Sequence, residues 1–345
     1  MKRKTLAILT SAPYLCYAAT PSSEAPDGRV NYPSNFQVEK GANLFVFGDY
    51  LHWIAHEDGL YYAETGAGAG TATFPPTGSI DFNGHLKKVD PKWESGARLG
   101  IGYTCPKQGF DIVLAWTWIT NDASSSVKSP SGRILPLWAA PDISSPLLAT
   151  FAKGHWDLDY NTLDLEWGRS SWFGGHFSLR PFFGLRGLWI EQDLTNHYTY
   201  ATSPVVFGKL HAESDFKGAG LRTGADARFC LPHGFSVYGI ASGSLLYGRF
   251  DADMKIHENQ FTIAETEDEF WKGISSLQLA LGLAWDTHFA KDRLHIEFHL
   301  GWEQNAWFGA NQMNHSMGQL HEGYYLQENS TLTLQGLVAG GRFSF

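Results

Sequence analysis

The chain has 345 residues, of which 18% are charged and 14% aromatic, and its formal net charge is −9. The negative charge argues against nucleic-acid binding, because phosphate contacts need a basic surface. The aromatic content argues against disorder, and after the N-terminus no stretch of about 18 apolar residues is available for a spanning helix. The length fits two ordinary domains or one large all-β domain.

The N-terminus predicts an export signal over residues 1–19. Three cations at positions 2–4 precede a short, mostly apolar run at 6–17, and Ala18 and Ala19 are small enough for a cleavage site. Residues 20–40 are rich in Ser and Pro. We interpret them as a periplasmic N-terminal segment that precedes the folded part, residues 41–345.

The remaining chain alternates between apolar and polar residues, which is the period of a strand with two different faces. In the clearest run, 292–303, the apolar side holds Leu294, Ile296, Phe298, Leu300 and Trp302, and the other side holds His295, Glu297, His299, Gly301 and Glu303. The pattern predicts ten strands, near 43–55, 94–104, 110–119, 162–167, 177–189, 221–229, 235–249, 276–285, 292–303 and 331–345. Pro181 in the fifth strand predicts a bulge or a pleat irregularity.

The connections alternate in length along the whole chain. Four are short and rich in turn residues, namely 105–109, 170–175, 230–234 and 286–292. The others, 56–93, 120–156, 190–216, 250–271 and 304–330, are long. A transmembrane barrel has short periplasmic turns and long external loops. The chain is therefore predicted to be an all-β, antiparallel up-and-down barrel of ten strands, or of twelve or more if 56–93 or 304–330 hides further strands.

A soluble β-sandwich would show the same alternation with its apolar face inward. Two features favour the membrane barrel. The alternating runs reach about ten residues, as a tilted spanning strand requires. Tryptophans also cluster near the ends of the runs, as in the aromatic belts of membrane proteins. They are Trp53, Trp116, Trp118, Trp167, Trp189, Trp271, Trp285 and Trp302.

Seven segments carry a family resemblance over nearly the whole chain after the signal. They are DYLHWIAHEDGLYYA (49–63), KWESGARLGIGY (92–103), LRPFFGLRGLWIEQ (179–192), GAGLRTGADARF (218–229), YGIASGSLLYGRF (238–250), GWEQNAWFGANQM (301–313) and LTLQGLVAGGRFSF (332–345). In the order and spacing of these seven segments, the chain resembles the Legionella-type major outer membrane proteins, which also occur in chlamydia-like bacteria. The resemblance implies a bacterial outer-membrane barrel with porin-like diffusion of small hydrophilic solutes, ion transport and a surface-antigen role, and no catalytic site or cofactor. The alternative is a non-conducting structural or adhesive barrel that acts through its loops.

The polar faces of the predicted strands carry charges of both signs. They include Arg98, Asp111, Asp164, Glu166, Arg180, Arg186, Arg222, Asp226, Arg228, Glu297 and Arg342. Two interpretations stay open: a pore lining that screens solutes by charge, or cross-strand ion pairs that prop or plug the lumen. We expect Arg98 to lie beside Asp111, and the Asp164 and Glu166 wall to lie beside Arg180 and Arg186. Ten strands would enclose a narrow lumen.

Several groups of polar residues are candidates for metal or catalytic sites. The alternative is that they are polar residues of the barrel wall and the loops. His295, Glu297 and His299 are metal-ligand types, but along one strand they lie about 7 Å apart, too far for one ion without help from other strands. His52, His56, Glu57 and Asp58 suggest a protease, and Asn329 with Ser330 suggests a phospholipase. Neither set brings together a nucleophile, a base and an orienting group. We expect no metal, no cofactor and no enzyme.

The remaining predictions concern partners. Cys105 and Cys230 fall in short turns nearly opposite each other around the barrel, too far apart for a disulfide. They are predicted to remain free, as turn residues, or to cross-link to other envelope proteins. Phe343 and Phe345 resemble an insertion signal read by the barrel-assembly machinery, with packing in the aromatic girdle as the alternative. Outer-membrane lipid and lipopolysaccharide are expected around the barrel, and a homo-oligomer is left open.

Overall fold

A computed structural model describes residues 42–66, 84–105, 109–138, 148–173, 176–200, 205–289, 293–316 and 325–345. The predicted signal (1–19) and periplasmic segment (20–40) lie outside the described residues. Within the described ranges, no helix has the length and apolarity needed to cross a membrane.

Ten long strands form one closed antiparallel barrel. They are β1 (Leu44–Glu57), β2 (Trp93–Thr104), β3 (Phe110–Lys128), β4 (Ala149–Arg169), β5 (Phe177–Tyr200), β6 (Phe207–Cys230), β7 (Phe235–Glu258), β8 (Phe261–Phe289), β9 (Leu294–Asn311) and β10 (Ser330–Ser344). Each strand pairs with the next, and β10 returns to pair with β1 from Glu57↔Leu332 to Phe45↔Ser344. The predicted ten-stranded up-and-down barrel is confirmed.

Short strands occupy parts of the connections. They are Tyr61–Thr65, His85–Lys88, Ile134–Pro136, Ser171–Phe173, Asn314–Ser316 and Tyr325–Gln327. The first three extend the sheet beside β4, Ser171–Phe173 pairs with β5, and the last two pair only with each other. The strands inside 56–93 and 304–330 therefore do not widen the ring of ten.

Several strands are much longer than the sequence pattern predicted. β5, β6 and β7 each have 24 residues and β8 has 29. The predicted long loops 190–216 and 250–271 are therefore wrong: both segments are mostly strand, and only Asn259 and Gln260 separate β7 from β8. Asn259 has a φ of +52°, which Asn tolerates in tight hairpin turns. The prediction failed because the outward residues change from apolar to charged where these strands leave the apolar band.

The apolar side of the strands faces outward, as predicted. In β9, Phe298, Leu300 and Trp302 are 57%, 53% and 48% exposed, whereas the inward Glu297 and Glu303 are 6% and 1% exposed. The same outward band carries exposed leucines on most other strands, among them Leu99, Leu114, Leu165, Leu185, Leu221, Leu245 and Leu281. Apolar side chains left exposed around a closed barrel are those that a bilayer would cover.

Aromatic rings border this band on both sides. Toward the short turns, Trp167 stacks on Phe183 at 5.7 Å between ring centroids and Trp285 stacks on Phe298 at 6.3 Å. Toward the long loops, Trp116 stacks on Trp118 at 5.2 Å. Paired rings at two levels are expected where a barrel meets the two interfaces of a membrane.

Pro181 lies in β5 without the predicted bulge. Pairing with β6 runs through Pro181↔Ala225 with no shift of register. On the other side, pairing stops at Gly168↔Phe182, one residue from the proline, and resumes in the same register at Ser171↔Leu179. Because proline has no N–H to donate, its effect here is a local interruption of one ladder.

The interior toward the long loops is filled by packed apolar side chains from nine of the ten strands. We call this set the apolar plug: Trp53, Ile119, Trp156, Leu188, Phe216, Leu246, Ile274, Trp307 and Leu334. Each of these side chains is at most 3% exposed. Further buried residues of the connection after β1, Leu60 and Tyr62, belong to the same cluster. These side chains are therefore packed against one another and shielded from solvent.

Beyond the apolar band, the outer wall carries a row of carboxylates. Each carboxylate lies directly opposite the next one in the register, strand by strand from β3 to β8. They are Asp122, Asp157, Asp193, Glu213, Asp253 and Glu267. Partial burial, followed by the nearby Glu213, raises the pKa of Asp193 above its usual value. Like charges directly opposite each other on neighbouring strands destabilise a sheet.

We therefore expect Asp193→Asn to raise the midpoint of thermal unfolding at neutral pH. The gain should be small, about 0.5 kcal/mol, because the side chain is half exposed and solvent screens it. Since the folded-state pKa is raised, the difference should fade as the pH drops toward 3.8, the unfolded value, and should also shrink in high salt. Asp268→Asn, at an exposed position outside the row, is the control. A destabilised Asp193→Asn would contradict the repulsion.

Candidate functional site: the charged half of the barrel interior

All eleven charged residues singled out in the sequence face the interior toward the short turns. They line one cavity of about 280 Å³, together with residues that include Asp49, Tyr160, Gln278, His299 and Glu303. The cavity is large enough to hold several water molecules. The predicted inward placement is therefore correct for each of these residues.

Arg180 is the centre of one group of ion pairs near the short turns. Its guanidinium contacts Asp111 of β3 at 2.5 Å, Asp226 of β6 at 2.8 Å and Glu166 of β4 at 3.3 Å. The predicted neighbourhood of Arg180 and Glu166 is confirmed. Because Asp111 of β3 and Arg180 of β5 lie on either side of β4, their contact passes over that strand.

A second group centres on Asp164 of β4. Arg186 lies directly opposite in the register and holds both carboxylate oxygens, at 2.5 and 2.6 Å. Arg222 of β6 also donates to Asp164, and its other nitrogen donates to Gln278 Oε1 of β8 at 2.6 Å. All three charged side chains are at most 7% exposed. Bidentate, desolvated pairs of this kind are the strong form of ion pair.

The contacts then continue to the opposite wall. Gln278 donates to Glu303 at 2.7 Å, Glu303 pairs with Arg98 at 2.7 Å, and Arg98 reaches Asp49 of β1 at 3.3 Å. Together with the Asp164 group this makes an unbroken polar chain across the lumen, from β4 through β6, β8, β9 and β2 to β1. We call it the ionic network. It matches the interpretation of inward charges as cross-strand pairs.

The predicted pairing of Arg98 with Asp111 is wrong. In the register of β2 with β3, Arg98 lies opposite Thr117, and its Nε donates to the Thr117 hydroxyl at 3.1 Å. Asp111 lies opposite Thr104, nearer the short turn, and is bound by Arg180 instead. Matching charge signs on neighbouring strands could not locate the pair, because the pairing depends on register.

The ionic network lies directly against the apolar plug. The guanidinium carbon of Arg98 lies 5.9 Å from the ring centroid of Trp53, and that of Arg186 lies 5.5 Å from the ring of Trp307. Cations placed on indole faces are attracted to the ring. The two halves of the interior thus support each other. The prediction that Trp53 lies in an interface belt is wrong, because its ring is buried in the apolar plug, and the sequence pattern made no prediction for Trp307.

The remaining charges occupy separate positions. Arg228 of β6 pairs with Glu297 of β9 at 2.8 Å, His299 Nε2 lies 3.1 Å from Asp49, and the Arg342 guanidinium lies over the ring of Phe45 at 3.5 Å. His295 lies 3.3 Å from Asp286 of β8. His299 lies 3.9 Å from Glu297, but His295 contacts Asp286 instead, so one ion bound by all three residues is not supported.

The two catalytic candidate sets meet at the other end of β1. The Ser330 hydroxyl lies 2.9 Å from Glu57 Oε1 and 2.9 Å from the Asp58 carbonyl oxygen, both within donating distance. Burial raises the pKa of Glu57 to about 8, so its carboxyl group is protonated at neutral pH. A protonated carboxyl cannot remove the serine proton, and His56 faces outward and is exposed. This contact therefore does not make an activated nucleophile; the absence of enzyme activity stays a prediction.

Glu57 instead predicts a pH dependence of stability. Its folded pKa of about 8 exceeds the unfolded value of 4.5, so its contribution is complete below pH 4.5 and is lost as the pH rises through 8. Glu57→Gln cannot ionise. We expect it to be more stable than the native chain at pH 9, by on the order of 4 kcal/mol, and similar at pH 4.5. Urea unfolding across this range is the measurement, with Asp268→Asn, at an exposed position outside the carboxylate row, as control. A pH-independent difference would contradict the assignment.

The cysteines and the terminal phenylalanines lie at the short-turn end. Cys105 and Cys230 form no disulfide with each other, and Cys230 is only 3% exposed, so Cys105 is the more accessible thiol. Cross-linking to other envelope proteins stays a prediction. Phe345 closes the barrel through two backbone hydrogen bonds with Leu44, at 2.9 and 3.1 Å, and the ring of Phe343 faces outward. This placement fits the girdle interpretation and leaves the insertion-signal interpretation open.

The fold, the outward apolar band and the polar interior together define a bacterial outer-membrane β-barrel. The family model of the Legionella pneumophila major outer membrane protein precursor matches residues 49–345, so the chain belongs to this family. It is accordingly a protein of the outer membrane, with the short turns and the C-terminus at the periplasmic end. No curated protein matches the chain.

Several solved structures of outer-membrane proteins are similar to the chain at low levels. The outer membrane protease OmpT from Escherichia coli has 8% identity and a TM-score of 0.44, with 92% of this chain and 99% of that chain covered. The P. putida toluene transporter TodX has 8% identity and a TM-score of 0.22, with 93% and 90% covered. An anion-selective porin from Comamonas acidovorans has 10% identity and a TM-score of 0.10, with 88% and 99% covered. None of these values is high enough to transfer an activity.

Proposed function

We propose that this protein is a structural and surface barrel of the outer membrane whose lumen is closed at rest. The observation that carries the proposal is the apolar plug, which fills the extracellular half of the interior with side chains at most 3% exposed. A passive porin needs a continuous hydrated path, whereas packed tryptophan and leucine side chains exclude water. The ionic network braces the periplasmic half and adds a second obstacle.

The test is the single-channel conductance of refolded protein in a planar bilayer. We expect a silent baseline or rare, brief openings at moderate voltage. Steady ohmic steps in every insertion would overturn the closed state. Insertion itself is checked by the heat-dependent shift in gel mobility that a closed barrel gives, so silence from unfolded protein is recognised.

A second candidate function is porin-type diffusion of small hydrophilic solutes through a gated lumen. It is favoured by the charged cavity of about 280 Å³, which leaves room for water in the periplasmic half. In this case openings should occur and their ion selectivity should shift when Arg186 or Glu297 is neutralised. Openings whose selectivity ignores both residues would count against passage through this interior.

The proposed surface role assigns three classes of partner. Lipopolysaccharide and lipid contact the outward apolar band, other envelope proteins reach Cys105 at the periplasmic rim, and the barrel-assembly machinery reads Phe343 and Phe345. A surface-antigen role would rest on the extracellular connections. Each of these is a proposal about contacts that lie outside the chain itself.

Deleting Phe345 tests the assembly role. We expect less folded protein in the outer membrane, because the deletion removes the terminal aromatic residue and two backbone bonds to Leu44. The measurement is the heat-shifted fraction in membrane preparations, compared with Phe345→Leu, which keeps the backbone bonds. Equal amounts of folded protein from the deleted and native chains would refute the role.

A further inference from the structure

Three metal-ligand side chains converge on the hairpin formed by β8 and β9. Asp286 and His288 lie two residues apart on β8, and His295 of β9 lies directly opposite His288. One ligand atom from each of the three lies within 4.8 Å of the other two. His295 Nε2 is 3.3 Å from Asp286 Oδ2, and the two imidazole rings are 4.6 Å apart between centroids.

These distances suit one small divalent cation. Zinc binds imidazole nitrogen at about 2.0–2.1 Å and carboxylate oxygen at about 2.0–2.2 Å in tetrahedral geometry, so its ligand atoms lie about 3.3 Å apart. The separation between His295 and Asp286 already has this value, and the remaining distances need only rotamer adjustments. Two imidazoles and one carboxylate are a donor set that favours zinc and similar transition metals over calcium or magnesium.

The surroundings also suit a metal. His295 is fully buried and the Asp286 side chain is 4% exposed. Paired strands hold both residues, so the ligands are held by backbone and not by loop conformation. The next inward position, Glu297, is neutralised by Arg228 at 2.8 Å. Arg342 of β10 lies opposite Glu297 in the register, so two cations and one carboxylate lie one register step from the site.

We propose that Asp286, His288 and His295 bind a zinc-like transition-metal cation at the periplasmic end of the β8–β9 hairpin. The sequence prediction considered only His295, Glu297 and His299 along one strand and found the spacing too long. The neighbouring strand β8 supplies the two further ligands, Asp286 and His288, that the spacing along β9 required. The metal joins the last register pairs before the turn and so stabilises that end of the barrel.

Two further clusters, which lie on the outer wall, make a useful comparison. They combine one histidine with two carboxylates: Asp122, His155 and Asp157, and Asp193, His211 and Glu213. Each cluster has one carboxylate side chain that is at least 48% exposed, and each histidine lies at most 3.0 Å from a carboxylate of its own strand. We treat them as competing binding sites to be removed in a control.

The experiment uses the full barrel refolded in detergent, freed of metal with a chelator and titrated with cobalt. Tetrahedral cobalt gives a strong visible absorption band, whereas octahedral cobalt on exposed carboxylates does not. We expect the band in the native chain and in the control His155→Ala/His211→Ala. In Asp286→Asn and in His295→Ala we expect at least about tenfold weaker binding, since one of three ligands is lost.

Three results would overturn the proposal: no band in the native chain, a band unchanged by both site variants, or a band lost only in the control. Asp286→Asn keeps the shape of the side chain, so it stands in if His295→Ala fails to give the heat-shifted folded form. Zinc should also raise the unfolding temperature of the native chain and not that of Asp286→Asn. A zinc-induced shift of equal size in both would again count against the site.

Discussion

Replacing Trp156 and Trp307 together with alanine is expected to turn the closed barrel into a conducting one. Both indoles are fully buried in the apolar plug, one on β4 and the other on β9, and Trp307 lies between Tyr160 and Arg186. Removing them opens a void next to the charged cavity, which water can enter from the periplasmic half. Single-channel recording should then show ohmic steps that the native chain lacks.

A matched control separates loss of the plug from general loosening. Trp116→Ala/Trp118→Ala removes two indoles from the outer wall, where they stack on each other at 5.2 Å and face the membrane. This variant should stay silent. Buried Trp to Ala changes cost about 3–5 kcal/mol each, so the single Trp307→Ala is the fallback if the double variant does not fold. Folded variants of the plug that remain silent would mean that the ionic network alone closes the lumen.

The second large effect is expected at Asp164. Asp164→Ala leaves Arg186 buried without its carboxylate partner, whereas Arg222 retains Glu166 at 3.2 Å. Breaking a buried ion pair by removing one partner costs about 3–5 kcal/mol, because an uncompensated charge remains. Urea unfolding in lipid vesicles should show this loss as a lower midpoint.

Asp226→Ala is the matched control for Asp164→Ala. Asp226 makes one contact with Arg180, and its side chain is 34% exposed, so we expect less than about 1 kcal/mol. Arg180 also retains Asp111 and Glu166. Equal losses in the two aspartate variants would show that the cavity water screens both sites, and that the network does not brace the barrel.

The sequence pattern predicted the ring of ten strands because every strand keeps its apolar side outward within the membrane band. It did not predict the parts of the strands that extend beyond that band toward the extracellular side. In β8 the outward positions Glu265, Glu267 and Glu269 are charged, so the apolar alternation stops although the strand continues. Pattern reading depends on the contrast between two environments, and both faces of a strand change environment where it leaves the bilayer.

The sequence pattern predicted only part of the candidate site. Period-two alternation fixed which charges face inward, and the Asp164–Arg186 pair follows because it joins opposite residues of adjacent strands. The contacts of Arg98 with Glu303 and of Arg180 with Asp111 join strands that are not neighbours. These depend on barrel curvature and register, which a single sequence does not specify. Asp49 was missed because the first strand is apolar on both phases.

Thiol labelling of the interior tests the occluded lumen most directly. In a chain with Cys16, Cys105 and Cys230 changed to serine, a single cysteine would replace either Leu188 of the apolar plug or Ala115 of the cavity wall. A small charged thiol reagent is added to the folded barrel in detergent, where it reaches both ends. We predict that the cysteine at 115 reacts and that the one at 188 reacts only after heating unfolds the barrel. Equal, rapid reaction at both positions in the folded protein would contradict a sealed interior.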